Sequence, residues 1–174
     1  MNKLRPLVMI LVLAGACDHT EVVQVPSAVL EVLEGTDEFE LLSLNPDRKT
    51  DEGPAKDDFH EWQVLGKTTV KDAKTRKQLI DALKQGVKQN LEMGKQIAVG
   101  EPMFAECFNP RHGLKATHDG KTVELVICFE CFRVYAYFDG PKLEHMIPTT
   151  GRQQPVFDAI LKKASVPLPP QKES

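Results

Sequence analysis

Aromatic residues are scarce in this chain, 6% in all with one Trp and two Tyr, and no block of Lys or Arg occurs anywhere in it. The missing basic block removes the electrostatic footprint that nucleic-acid binding requires. Formal net charge is −3, and −5 once residues 1–16, which carry Lys3 and Arg5 and no acid, are set aside. No internal repeat recurs, so a solenoid or propeller is excluded. No apolar run approaches the roughly 20 residues of a spanning helix, since the longest stretch is Leu7–Leu13. Cysteine is sparse, four in all, and three of the four fall in one segment. With 174 residues, 41% hydrophobic and 27% charged, the composition fits one globular domain with a real core plus a targeting segment.

The N-terminus, MNKLRPLVMILVLAGAC, has two cations, a short apolar run and small residues before Cys17, the layout of an export signal. Leu13-Ala14-Gly15-Ala16-Cys17 resembles a bacterial lipobox, departing from it at Ala14 where that motif usually has Leu. On that reading residues 1–16 are removed and Cys17 is acylated, anchoring an exported protein to a membrane. Ala14-Gly15-Ala16 also satisfies ordinary signal cleavage, which leaves a secreted or periplasmic soluble protein as the alternative. A cysteine placed just past a short apolar run favours the lipoprotein.

Residues 17–26 form a polar spacer, 27–165 a single domain and 166–174 a proline-rich tail. Ser27 is expected to cap a two-turn helix ended by Gly35, with Val29, Leu30 and Leu33 on one face. Phe39–Leu44 predicts a strand stopped by Asn45-Pro46, and residues 46–58 a polar surface loop. Phe59–Leu65 alternates as a second strand; His60 beside the only Trp is read as sheet packing rather than a stacking site. The longest helix runs from an Asp72 cap to Gly94, burying Leu79, Ile80, Leu83 and Val87, with Leu91 a turn further. Gly86 inside it suggests a close approach to the sheet, and its Lys-rich face reads as solvated, the basic bias being too weak for lipid headgroups. Asp139-Gly140-Pro141 predicts a turn, 142–147 an edge strand, and Pro155 opens a last helix over 156–163.

The segment from Phe104 to Phe138 organises the rest. Asp119-Gly120 suits the two positive-φ positions of a type I′ turn, and it sets Leu114 opposite Leu125, Ala116 opposite Val123, and Lys115 opposite Glu124. Apolar and charge-matched faces emerge together, so two long antiparallel strands are expected. The fold class is therefore α+β, an antiparallel sheet with a long central hairpin and helices packed on one face. Cys107-Phe-Asn-Pro-Arg-His-Gly113, Leu125-Val-Ile-Cys-Phe-Glu-Cys131 and the helix start Gln154-Pro-Val-Phe-Asp158 resemble a family of small exported proteins of unknown function from planctomycete-type bacteria. The likeness covers roughly residues 59–170 and implies an exported domain built around these motifs, with no activity attached.

Several chemistries compete for the motif residues. Cys107, His112, Cys128 and Cys131 are the right types for structural zinc, although on an unbroken strand Cys128 and Cys131 point to opposite faces. A thiol redox protein would want its C-x-x-C at a helix N-terminus rather than mid-strand. A nucleophilic hydrolase using Cys107 and His112 lacks a nameable third residue. The favoured reading is a non-catalytic binding or envelope-associated module with structural cysteines, no cofactor, and an unknown protein or small-molecule partner. Arg111 and His112 are its candidate ligand contacts, on a segment that Pro110 and Gly113 should bulge. One bulged residue within 109–113 sets Cys107 opposite Cys131, so Cys107–Cys131 is the expected disulfide, Cys107–Cys128 the next, and Cys128 in the first case a lone thiol.

Overall fold

The computed structural model describes residues 24–47, 57–94, 108–144 and 146–169. The expected export signal, Cys17 and Cys107 lie outside them. Ten short elements follow in order: α1 (Ser27–Gly35), β1 (Phe39–Leu44), β2 (Val64–Val70), α2 (Ala73–Gly94), β3 (His112–His118), β4 (Lys121–Cys128), β5 (Arg133–Phe138), β6 (Ile147–Pro148), a 3-10 turn (Gly151–Gln153) and α3 (Gln154–Lys163). The strands form one antiparallel sheet in the order β2-β1-β3-β4-β5-β6, with the helices on one side.

The tight turn behaves as its two residues require. Asp119 and Gly120 have φ of 49° and 75°, and the β3–β4 pairs run Leu114–Leu125, Lys115–Glu124, Ala116–Val123 and Thr117–Thr122 as the turn dictates. On the helix side, Phe39, Leu41, Leu114, Leu125 and Ile127 are fully buried against Val29, Leu79, Phe157 and Leu161. Each such side chain contributes about 1.5–3 kcal/mol by leaving water. Asp72 caps α2 by accepting the Thr75 N–H at 2.8 Å, and Pro155 sits in the first turn of α3, where its missing N–H costs nothing. The residue preceding α1 is Pro26, with no side-chain bond, so Ser27 is its first helical residue rather than its cap.

Three expectations are corrected. The central segment is three strands, not two: the chain leaves β4 after Cys128, and Phe132 takes φ 56° before β5 returns. Phe59–Leu65 is not a strand either. His60 at φ 58° folds Phe59 back on Trp62 through paired backbone bonds of 2.9 and 3.2 Å, and the ladder with β1 starts only at Val64, where the β-branched run Thr68-Thr69-Val70 follows. The third concerns 142–147, which gives only an isolated bridge at Lys142 and the two-residue β6. The packed unit also outruns 27–165, because Val25 and Val166 are buried in the core and Leu168 packs on it.

The bulge expected within 109–113 lies at Arg111 and not at Gly113. The register of β3 on β4 is unbroken from His118 back to His112, but Arg111 N–H donates at 3.2 Å to the Ile127 carbonyl, whose residue already faces His112, so the ladder slips by one there, while the Arg111 carbonyl accepts from Leu44 N–H at 3.0 Å in step with β1. Glycine is needed at 113 for space. A methyl on Gly113 would lie 2.9 Å from the Phe59 ring and 3.3 Å from Leu42 Cβ. Phe59, with Leu42, Leu44, Trp62 and Val126, forms a second apolar cluster on the face away from the helices. Gly86 likewise admits a neighbour, although it is Thr149, after β6, whose Oγ1 would meet an added methyl. We expect Gly113→Ala to lower stability by about 1–3 kcal/mol through overpacking, read as a shift in denaturant midpoint. Gly113→Ala combined with Phe59→Ala should lose less than the two single losses added together, and strict additivity would show that the ring is not the obstacle.

Candidate functional site

The residues singled out from the sequence converge on the end of β3 and the turn after β4, but they divide between partners. His112 opens β3 with its side chain toward the helices, fully buried. Its Nε2 lies 2.8 Å from Asp158 Oδ1 on α3, and its ring meets Phe129 and Phe157 edge-on at 5.3 and 5.7 Å. A carboxylate only accepts, so Nε2 carries the proton and donates. Nδ1 then has no hydrogen-bond partner among the described residues. Arg111, also buried, donates from Nε to Glu130 Oε1 at 3.0 Å. The two side chains expected to share a ligand thus each engage a carboxylate of the chain itself.

Glu130 lies inside the cysteine motif, and the motif is closed. Cys128 and Cys131 are joined as a disulfide with Cα atoms 5.3 Å apart, and Cys131 N–H lies 3.1 Å from Cys128 Sγ. The expected Cys107–Cys131 bond is therefore corrected, as is the lone Cys128 thiol: Cys131 is bonded to Cys128. The physical reason is the turn. Opposite faces for positions three apart hold on a continuous strand, whereas here the strand ends at Cys128 and residues 129–132 bring Cys131 back beside it. Both sulfurs are buried.

For the zinc alternative, Cys128 and Cys131 would first have to be reduced, His112 already gives Nε2 to Asp158, and Cys107 lies outside the described residues. Among the described residues no group of three His, Cys, Asp or Glu gathers in metal-binding geometry.

A residue missed in the sequence sharpens the picture. Ser43 is the register partner of His112 on β1, so Ser43, His112 and Asp158 form a string in the three residue types of a serine hydrolase. Ser43 and His112 have no exposed surface, and among the described residues Ser43 Oγ and His112 Nδ1 each lack a bonding partner. A nucleophile needs a bond to its base and a path for substrate; this string has neither, and it reads as a polar seam in the core. Asp158 and Glu130 were equally unnoticed. The available signal was an acid within each apolar motif, Phe157-Asp158 and Phe129-Glu130.

The opposite face of the sheet carries alternating charge. Lys67 Nζ pairs with Glu40 at 2.7 Å, Lys115 Nζ with Glu124 at 2.7 Å, and His60 Nε2 reaches Glu124 at 3.1 Å while stacking on Tyr137 at 3.6 Å. Lys142 covers the Tyr135 ring at 3.3 Å, and Phe108 stacks on that ring at 4.0 Å. Trp62 is only 4% exposed, as a packing aromatic should be. No family model, curated protein or solved structure matches this chain.

Three carboxylates among the described residues titrate below their usual range: Asp72, held down by its bonds from Thr75, and Glu124 and Asp158. The His60 imidazole, with Nε2 3.1 Å away, is the main force holding Glu124 down to about 2, with the Lys115 ammonium assisting and partial burial opposing. Burial pushes Asp158 upward most strongly, yet the His112 bond and charge, with Gln154 and Lys162, outweigh it and leave the group below the usual carboxylate range. A depressed carboxylate stabilises the fold above its unfolded pKa and loses that contribution as pH falls through the folded value. Acid unfolding should therefore steepen between pH 4.5 and about 2, and Glu124→Gln should flatten that limb in pH-jump denaturation curves. Asp158→Ala should cost about 1–3 kcal/mol by stranding a buried N–H. His112→Leu combined with Asp158→Ala should cost less than Asp158→Ala alone plus His112→Leu alone, measured in urea.

Proposed function

We propose that the chain is an exported lipoprotein, held to a membrane through acylated Cys17, whose domain is a non-catalytic binding or envelope-associated module with structural cysteines. The carrying observation is that the conspicuous motif residues are engaged internally. Arg111 takes Glu130, His112 takes Asp158, and Cys128 takes Cys131. Groups so placed hold a turn and a helix onto the sheet. A disulfide also suits an oxidising compartment outside the cytosol, in keeping with the export signal and with the exported family that the motifs resemble. The partner, protein or small molecule, would be met by surface outside this buried cluster. Cys17→Ser should turn a detergent-extracted protein into a soluble one, while an intact mass showing an unmodified mature N-terminus would refute the anchor.

A second reading, a thiol redox protein, draws support from the same pair, since cysteines three apart are joined within one turn. Its opponent is burial, because thiol exchange requires access to a sulfur. On the structural reading, Cys128→Ser with Cys131→Ser lowers stability by about 2 kcal/mol, the loop-entropy figure for so short a ring. Catalysed reduction of a second protein's disulfide by the wild-type chain, lost in that double variant, would instead establish redox work.

A further inference from the structure

Resting on the lipoprotein reading, we propose that the outer face of α2 and the end of α3 is a docking surface for anionic phospholipid, so that the domain lies helix layer down on its membrane. Two independent observations converge on this face.

The first is where the chain joins its anchor. Val25 is buried, and α1 follows from Ser27 within the helix layer. Val25 lies eight positions after Cys17, and at about 3.6 Å for each step the chain between them spans no more than roughly 30 Å. An acylated Cys17 therefore keeps the entry to α1 close to the bilayer, and that entry belongs to the helical side of the sheet.

The second is charge segregation. The whole chain is net −3, yet α2 alone carries five cationic and two acidic residues. Lys74, Lys77, Lys84 and Lys88 are exposed along it, and Lys162 and Lys163 are exposed at the end of α3, with Lys163 and Lys74 both acting on Asp72 at the start of α2. Lys77 and Lys84 are paired, to Asp81 and Glu34, whereas Lys74, Lys88, Lys162 and Lys163 are in no ion pair among the described residues. The open groove of about 400 Å³ between α1 and α2 adds little to this field, because Glu34 and Asp81 in its lining pair with Lys84 and Lys77; the four lysines outside those pairs supply it. The other face offers no such field, because its Lys67–Glu40 and Lys115–Glu124 pairs cancel.

Four unpaired lysines give even the free chain a preference for an anionic surface. Tethering adds to this, since a lipid anchor makes the contact intramolecular and the same attraction then sets orientation. The contact should be lost as salt screens it.

The test separates the face from the anchor. Purified Cys17→Ser chain, which carries no lipid, is mixed with vesicles of phosphatidylcholine alone or with about 30 mol% phosphatidylglycerol. Binding at least about tenfold stronger to the anionic vesicles and abolished near 1 M salt is expected, as is its loss in Lys74→Gln/Lys88→Gln/Lys162→Gln/Lys163→Gln with unchanged melting. Equal binding to both vesicles, binding to neither, or full binding by the quadruple variant overturns the proposal. In the acylated wild-type chain on anionic vesicles, amine labelling should be suppressed at these four lysines and unchanged at Lys67. Suppression at Lys67 instead would also overturn it. The anchor itself is judged by mature mass, so an unmodified Cys17 with anionic-vesicle binding intact would sink the tether and leave the face standing.

Discussion

The parity of one two-residue turn governs this molecule. Asp119 and Gly120 both adopt positive φ, and a turn of that kind fixes which residue of β3 meets which of β4. Because side chains alternate, that choice puts Leu114, Ala116, Val123 and Leu125 under the helices and Lys115, Thr117, Thr122 and Glu124 on the far side. A slip by one residue would exchange the sets. β1 and β5 inherit the arrangement through their own ladders on β3 and β4, so the helix-packed core depends on the same parity.

His112 marks the point where this apolar face becomes polar. Its position in the alternation sends it inward, where Asp158 on α3 meets it, and the last helix is thereby tied to the middle of the sheet. Arg111, one residue earlier, engages Glu130 and fastens the turn that the disulfide closes. The motif segment is thus a joint at which three parts of the chain are held: the start of β3, the turn after β4 and the first half of α3. Such a joint explains why apolar and ionisable residues are interleaved there, with Arg111 and His112 buried while their carboxylate partners reach toward solvent.

What the sequence made legible follows from how local each cause is. The type I′ turn, the α2 periodicity with its Asp72 cap and the proline at the start of α3 are set by residues within a few positions of one another, and their placements agree with the structure. The return after Cys128 was illegible because Phe129-Glu130-Cys131-Phe132 holds no Gly, Pro or Asn, and a left-handed Phe132 has no composition signal. The same holds for His60, whose left-handed backbone is imposed by Phe59 and Trp62 both seeking the sheet. At the candidate site the residue types were correctly picked out and their partners were not. Asp158 lies 46 positions from His112 and Ser43 pairs with it from a different strand, and only the assembled sheet brings these together.

The place of β1 in the sheet governs the time the chain needs to fold. β1 sits between β2 and β3, and its pairing Phe39 with Ala116 must close over the whole of β2 and α2. Local hairpins form in microseconds, so β1–β2 and the β3–β4–β5 meander can assemble as separate pieces, each with one raw edge. Joining them meets a loop-closure cost before any contact rewards it. Until then the β1 and β3 edges stand open, with Leu41 and Leu114 unshielded beside them. On the proposed export reading the chain meets this interval after crossing a membrane unfolded, where crowding by copies of itself would turn those edges into templates for one another.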